Sequence, residues 1–157
     1  MTNSYHKLKS LKTLLIDDDP FIRNSMELAF GQKGFPLRVV KTGEEGLRVL
    51  DQEAFDIVIS DYRLPGMNGL DFFRQVISKN AKTIKVLISA SVNHDAVATA
   101  YALGISDYLP KPFTLDALLA TLVMHAKRRK TGVQQVFSLR CQDQVPLETN
   151  WPSAGYR

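Results

Sequence analysis

Five short apolar runs alternate along this chain with five segments of helical periodicity, and that alternation leaves few folds open. The runs are Leu14-Leu15-Ile16, Leu37-Arg38-Val39-Val40-Lys41, Phe55-Asp56-Ile57-Val58-Ile59-Ser60, Val86-Leu87-Ile88 and Ile105-Ser106-Asp107-Tyr108-Leu109. They predict strands near 12–17, 37–41, 55–60, 84–89 and 105–109. Runs as apolar as Ile57-Val58-Ile59 and Val86-Leu87-Ile88 are buried on both faces, which is a property of parallel sheets covered by helices on both sides. The expected fold class is therefore α/β: a doubly wound, five-stranded parallel sheet with five helices.

The helix boundaries are written in cap chemistry. Asp19 before Pro20 predicts the first N-cap, and Ile22, Met26, Leu28, Ala29 and Phe30 recur at roughly helical spacing up to a stop at Gly34. Thr42-Gly43-Glu44-Glu45 has the form of a capping box, opening a helix to about residue 52 with Leu47 and Leu50 inward. Asn68 caps a third helix whose apolar face is Leu70, Phe73, Val76 and Ile77. A fourth runs near 94–103 and ends at Gly104. The last starts at Thr114 and carries the clearest apolar stripe: Leu115, Leu118, Leu119, Leu122, Val123 and Ala126.

Charge is informative once it is located. The chain of 157 residues has a formal charge of +4, yet residues 1–126 hold 14 Lys and Arg against 14 Asp and Glu. The excess lies in the tail, so it says nothing about a ligand of the domain itself. The run Lys127-Arg128-Arg129-Lys130 reads as the solvated end of a helix, and nucleic acid is not an expected partner. Cys141 is the only cysteine, which excludes an internal disulfide and fits a reducing compartment. The polar start Met1 to Lys7 lacks a signal-peptide core, and no apolar run approaches the roughly 20 residues that span a bilayer. A cytoplasmic protein without membrane contact is expected. His6, His94 and His125 show no ligand spacing and read as surface or loop residues.

The chemistry sits where the apolar runs stop. The first ends in Asp17, Asp18 and Asp19, the third delivers Asp61 into Tyr62-Arg63-Leu64-Pro65-Gly66-Met67-Asn68-Gly69, the fourth ends at Ser89, and the fifth leads to Lys111-Pro112. In open parallel sheets ligands bind beyond the carboxyl ends of the strands. Mg2+ takes oxygen ligands, usually one or two carboxylates together with phosphate oxygens. Asp17, Asp18 and Asp61 offer such carboxylates, Lys111 a compact cation for a phosphate oxygen, and Ser89 a hydroxyl for another. An isolated aspartate after a strand is usually a cap or turn residue, and Asp19 before Pro20 keeps that reading.

At these residues the chain closely resembles the receiver domain of bacterial two-component response regulators. The matching motifs are Leu15-Ile16-Asp17-Asp18-Asp19-Pro20, Ser60-Asp61-Tyr62-Arg63-Leu64-Pro65-Gly66-Met67-Asn68-Gly69, Leu87-Ile88-Ser89-Ala90 and Asp107-Tyr108-Leu109-Pro110-Lys111-Pro112-Phe113. The resemblance implies a flavodoxin-like strand order of 2-1-3-4-5. It implies that Asp61 is phosphorylated by a sensor histidine kinase or phosphotransfer protein. The implied Mg2+ ligands are Asp17, Asp18, Asp61 and the backbone carbonyl of Arg63, with Lys111 and Ser89 on the phosphate. Ser89 and Tyr108 become the switch pair that reshapes the face made by the fourth helix, fifth strand and fifth helix, where a downstream protein target binds. Tyr108 also fits as an ordinary packed strand residue. Ser stands at 89 where Thr is more frequent in the family, and Arg63 is expected to tune the lifetime of the phosphorylated state.

The implied organisation is a polar leader at 1–11, a receiver domain at 12–129, and a short basic tail at 130–157 without a recognisable output domain. That describes a stand-alone, chemotaxis-receiver-like signalling module. Its only reactions would be phosphoryl transfer to its own aspartate and slow autodephosphorylation. Val136, Phe137, Leu139 and Trp151 are candidate anchors if the tail docks on a partner or on the domain, and homodimerisation stays open. A Mg2+-dependent phosphohydrolase of the haloacid-dehalogenase type matches the Asp17-x-Asp19 spacing but leaves too few residues for a cap domain. A flavodoxin-like flavin site would place a phosphate beside an acidic loop. A degenerate, constitutive protein-binding module is the remaining alternative.

Overall fold

The computed structural model describes residues 5–91 and 94–131, with the side chains of 130 and 131 excepted; the tail anchors named above lie outside the described residues. A 3-10 turn, Lys7–Ser10, precedes β1 (Thr13–Ile16), α1 (Pro20–Lys33), β2 (Leu37–Val40), α2 (Gly43–Gln52) and β3 (Ile57–Asp61). Then come α3 (Gly69–Val76), β4 (Ile84–Ser89), α4 (His94–Leu103), β5 (Asp107–Pro110) and α5 (Leu115–Thr131). All four strand pairings are parallel and the order is β2-β1-β3-β4-β5, as the sequence and the resemblance implied. Chain order reverses on either side of β1 and β3, so the crevice lies at their carboxyl ends.

Alternate residues of each strand feed opposite layers. Leu15, Ile57, Ile59, Val86 and Ile88 pack with Met26 and Phe30 of α1 and Leu118, Leu119 and Leu122 of α5. Leu14, Ile16, Val58 and Leu87 pack on the other side with Val49, Phe72, Phe73, Val76 and Ala100 of α2, α3 and α4. Both layers are dry enough that Leu14, Leu15, Ile16, Val58, Ile59, Phe72 and Phe73 are fully enclosed.

The caps behave as the sequence reading requires. Asp19 accepts from the Phe21 amide at 2.9 Å, Asn68 from Asp71 at 2.9 Å, Thr42 from Glu45 at 3.1 Å and Thr114 from Ala117 at 3.1 Å. The Glu45 carboxylate reaches back one residue further than a capping box prescribes, to the Lys41 amide at 3.0 Å. Gly34 and Gly104 close their helices with φ of 71° and 83°.

Several expectations need correction. Leu28 is exposed, because α1 turns only the Met26–Phe30 side toward the sheet. In α2 Leu47 and Leu50 do pack against the core, half-buried, but the innermost positions are Gly46 and Val49. The cause is close packing: a Cβ on Gly46 would lie 2.9 Å from the Phe72 ring and 3.1 Å from Ile16. Ile77 falls just beyond α3, and Phe72 takes the inward place instead. The leader is not wholly polar in its contacts, since Leu8 inserts into the layer under α5 and Lys7 donates to the Ala126 carbonyl. His125 is not a surface residue: it is buried on α5, with Nε2 2.9 Å from the equally buried Asp107 carboxylate of β5.

Among the described residues, one fully buried cation forms no ion pair with a carboxylate. Lys85 of β4 donates to the Asn80 and Thr83 carbonyls at 2.6 and 2.9 Å, and burial pulls its pKa down from 10.5 to about 8. A neutral amine keeps two N–H groups, enough for both carbonyls, so losing the proton sacrifices neither bond. Between about 8 and 10.5 the unfolded chain still holds a proton that the native state has released, so stability rises with pH there. Urea unfolding of the native protein and Lys85→Met across that window should show the native protein gaining on the variant as pH rises; parallel curves would refute the assignment.

Candidate functional site at the carboxyl ends of the strands

β1 and β3 each deliver a carboxylate directly from rigid backbone. Asp17 follows β1 with its amide bonded to the Val40 carbonyl at 3.2 Å, and it is completely buried. Asp61 is the last residue of β3 itself and is 7% exposed. Asp18 faces solvent beside them. Oxygens of Asp17, Asp18 and Asp61 lie within 4.8 Å of one another. β5 supplies the cation: Lys111, whose amide bonds the Ser89 carbonyl at 2.7 Å and which precedes a cis bond to Pro112, places Nζ 2.9 Å from Asp61 and 3.1 Å from Asp17.

The loops around the cluster are held by their own backbone. The Asp19 amide donates to Asp17 Oδ1 at 2.9 Å, and the Arg63 amide approaches Asp61 Oδ1 at 3.3 Å. Tyr62 bonds the Ile88 carbonyl at 2.7 Å and Gly69 returns to the Tyr62 carbonyl at 2.8 Å, closing the loop after Asp61. A Cβ at Gly69 would stand 2.3 Å from the Asp61 carbonyl, so only glycine lets α3 begin this close to the strand.

Two buried carboxylates share one lysine with a third carboxylate close by, and the shifted proton affinities follow from that shortage. Burial pushes the Asp17 carboxyl above its usual range, and the neighbouring Asp61 charge adds to this against the Asp19 amide and Lys111. For Lys111 burial alone would lower the pKa, yet Asp61 and Asp17 together hold the ammonium above its ordinary value. The pocket therefore attracts positive charge and has room for more of it at the exposed Asp18.

Other residues singled out in the sequence have partners of their own. Ser89 donates to the Ser91 carbonyl at 2.9 Å, and the Tyr108 hydroxyl sits 3.5 Å from that same carbonyl with its ring buried. The Arg63 side chain is exposed. Asp19 is occupied as the cap of α1, which removes the second acid of an Asp-x-Asp catalytic pair. Sequence reasoning missed Arg23, whose guanidinium donates to the Asp17 carbonyl at 2.8 Å.

A model of the response regulator receiver domain matches residues 13–123. The chain belongs to that family. This receiver is 32% identical over 154 residues to the transcriptional activator protein PfeR of Pseudomonas aeruginosa, covering 91% of the chain and 50% of PfeR. It is 35% identical over 106 residues to the DNA-binding transcriptional regulator NtrC of Escherichia coli, covering 68% of the chain and 23% of NtrC. The BeF3-activated receiver domain of DrrB, from Thermotoga maritima, superposes with a TM-score of 0.67 at 29% identity, covering 75% of this chain and 98% of that one. The chain thus spans half or less of the length of these two curated relatives. Receiver domains are signalling modules of two-component systems, not enzymes in the ordinary sense, and the acidic pocket fits their phosphoacceptor site. No helix among the described residues is long and apolar enough to cross a membrane.

Removing Lys111 leaves buried carboxylates uncompensated. Lys111→Met should lose about 3–5 kcal/mol at neutral pH, and the loss should shrink on acidification as Asp17, whose carboxyl burial already pushes above its usual range, takes up its proton. Urea unfolding at neutral and acidic pH checks this; a loss independent of pH would show that the lysine acts through packing alone.

Proposed function

We propose that this receiver takes a phosphoryl group from the histidine of a sensor kinase or phosphotransfer protein onto Asp61. The observation that carries the reading is the cluster itself: three carboxylates within 4.8 Å of one another, of which the two buried ones, Asp17 and Asp61, share the ammonium of Lys111. Asp17, Asp18, Asp61 and the backbone carbonyl of Arg63 would hold Mg2+, the one cofactor, which would supply charge neutralisation for phosphoryl oxygens.

The residues do the rest. An Asp61 oxygen attacks phosphorus, the bond from phosphorus to the donor nitrogen breaks, and an aspartyl phosphate forms, a mixed anhydride that water slowly cleaves. Lys111, already in contact with Asp61, follows the negative charge outward to a phosphoryl oxygen. Ser89 exchanges the Ser91 carbonyl for another phosphoryl oxygen. Because the Tyr108 hydroxyl also lies at the Ser91 carbonyl, release of that acceptor changes the surroundings of the Tyr108 ring and so the face formed by α4, β5 and α5.

The donor protein has a natural seat beside the site. A groove of about 620 Å³, lined by Phe21, Ile22, Met26, Pro112 and Phe113, opens next to Lys111. An apolar helical surface resting there brings a histidine over Asp61. PfeR and NtrC are named as transcriptional regulators, and the matched region is half or less of each. The output proposed here runs through protein contacts of the face formed by α4, β5 and α5, in the cytoplasm.

Intact-mass measurement after incubation with Mg2+ and acetyl phosphate tests the reading. The native chain should gain one phosphoryl mass, with no gain without Mg2+ and none in Asp61→Asn. No adduct in a rapidly quenched sample would make the protein a constitutive binding module.

A further inference from the structure

Arg23 is the fourth residue of α1, a helix with no acidic residue in its first turn. A cation there opposes the helix dipole. The position therefore needs another justification, and the structure supplies one. The half-buried guanidinium turns back across the β1–α1 loop and donates to the Asp17 carbonyl at 2.8 Å, while the Arg23 amide bonds the Asp19 carbonyl at 3.1 Å. With the Asp19 amide on Asp17 Oδ1 and the Asp17 amide on Val40, Asp17 is fixed by its amide, its carbonyl and its carboxylate. Asp18 has no such hold, and it is the exposed member of the cluster.

The peptide unit between Asp17 and Asp18 is planar, so fixing its carbonyl also fixes the Asp18 amide and the position of the Asp18 Cα. We propose, resting on the phosphoacceptor reading above, that Arg23 is a positioning residue for the cation site. It locks the Asp17–Asp18 peptide plane against α1 and thereby keeps the Asp18 carboxylate in the cluster before any ion arrives. The three consecutive acids repel one another, and without this anchor the short loop relaxes toward solvent and carries Asp18 away.

Charge and positioning predict opposite signs. Deleting a cation next to an acidic loop would by electrostatics alone tighten Mg2+ binding. Losing an anchor behind the ligands loosens it, by roughly tenfold on the scale of such outer-shell contacts. Mg2+ is titrated calorimetrically into the native protein, Arg23→Met and Arg23→Lys, and 15N relaxation of the metal-free forms reports the order of the loop. Arg23→Met should bind Mg2+ about tenfold more weakly, with increased motion confined to Asp18 and Asp19. Arg23→Lys, which keeps a donor and the charge, should fall between the two and carries the test if the Met variant does not fold. Equal or tighter binding by the variants, with the native protein binding normally, overturns the proposal. Absence of Mg2+ binding by the native protein overturns the phosphoacceptor reading, and this inference with it.

Discussion

The contact of Lys111 with Asp17 and Asp61 is the interaction on which the rest of the molecule turns. Burying two carboxylates side by side is unfavourable unless a cation joins them, and here one ammonium at 2.9 and 3.1 Å serves both. The lysine comes from the end of β5, the acids from the ends of β1 and β3, and β4 lies between with Ser89. Strand order, register and the two apolar layers are what place these ends together. A fold with another order would leave the carboxylates apart and the lysine without a purpose.

The same contact is provisional by design. One lysine among three acids leaves the pocket short of positive charge, which is the condition under which a divalent ion and a phosphoryl group can enter and redistribute the partners. Lys111 and Ser89 each hold a partner that a phosphoryl oxygen would replace in the proposed function, a carboxylate in one case and the Ser91 carbonyl in the other. The second exchange would touch Tyr108 and carry the change of acceptors to the face formed by α4, β5 and α5.

Much of this was legible in the sequence because polar residues placed at the ends of apolar strands have a fixed destination in a parallel sheet. Asp17, Asp61, Ser89 and Lys111 needed only the alternation of elements to be brought to one edge. The caps at Asp19, Thr42 and Asn68 were equally readable, since each satisfies an amide a few residues away. What sequence could not supply depends on helix rotation and on contacts across layers. Leu28 belongs to an apolar periodicity yet faces out, and Gly46 governs the roll of α2 through Phe72, a contact no local pattern encodes. Arg23 reads as a surface cation until the Asp17 carbonyl is seen beneath it. His125 sits in an apolar stripe of α5, and only the fold reveals that Asp107 awaits it 2.9 Å away.

The central claim is that the carboxyl-end cluster accepts a phosphoryl group at Asp61 by exchanging the partners of Lys111. A crystal structure of the protein with Mg2+ and beryllofluoride tests it most directly. The account predicts the fluoride group on an Asp61 oxygen, Mg2+ among Asp17, Asp18, Asp61 and the Arg63 carbonyl, and Lys111 moved from Asp17 onto a fluoride. A bare Asp61 with Lys111 still bridging both aspartates, or a fluoride group on a different aspartate, would contradict it.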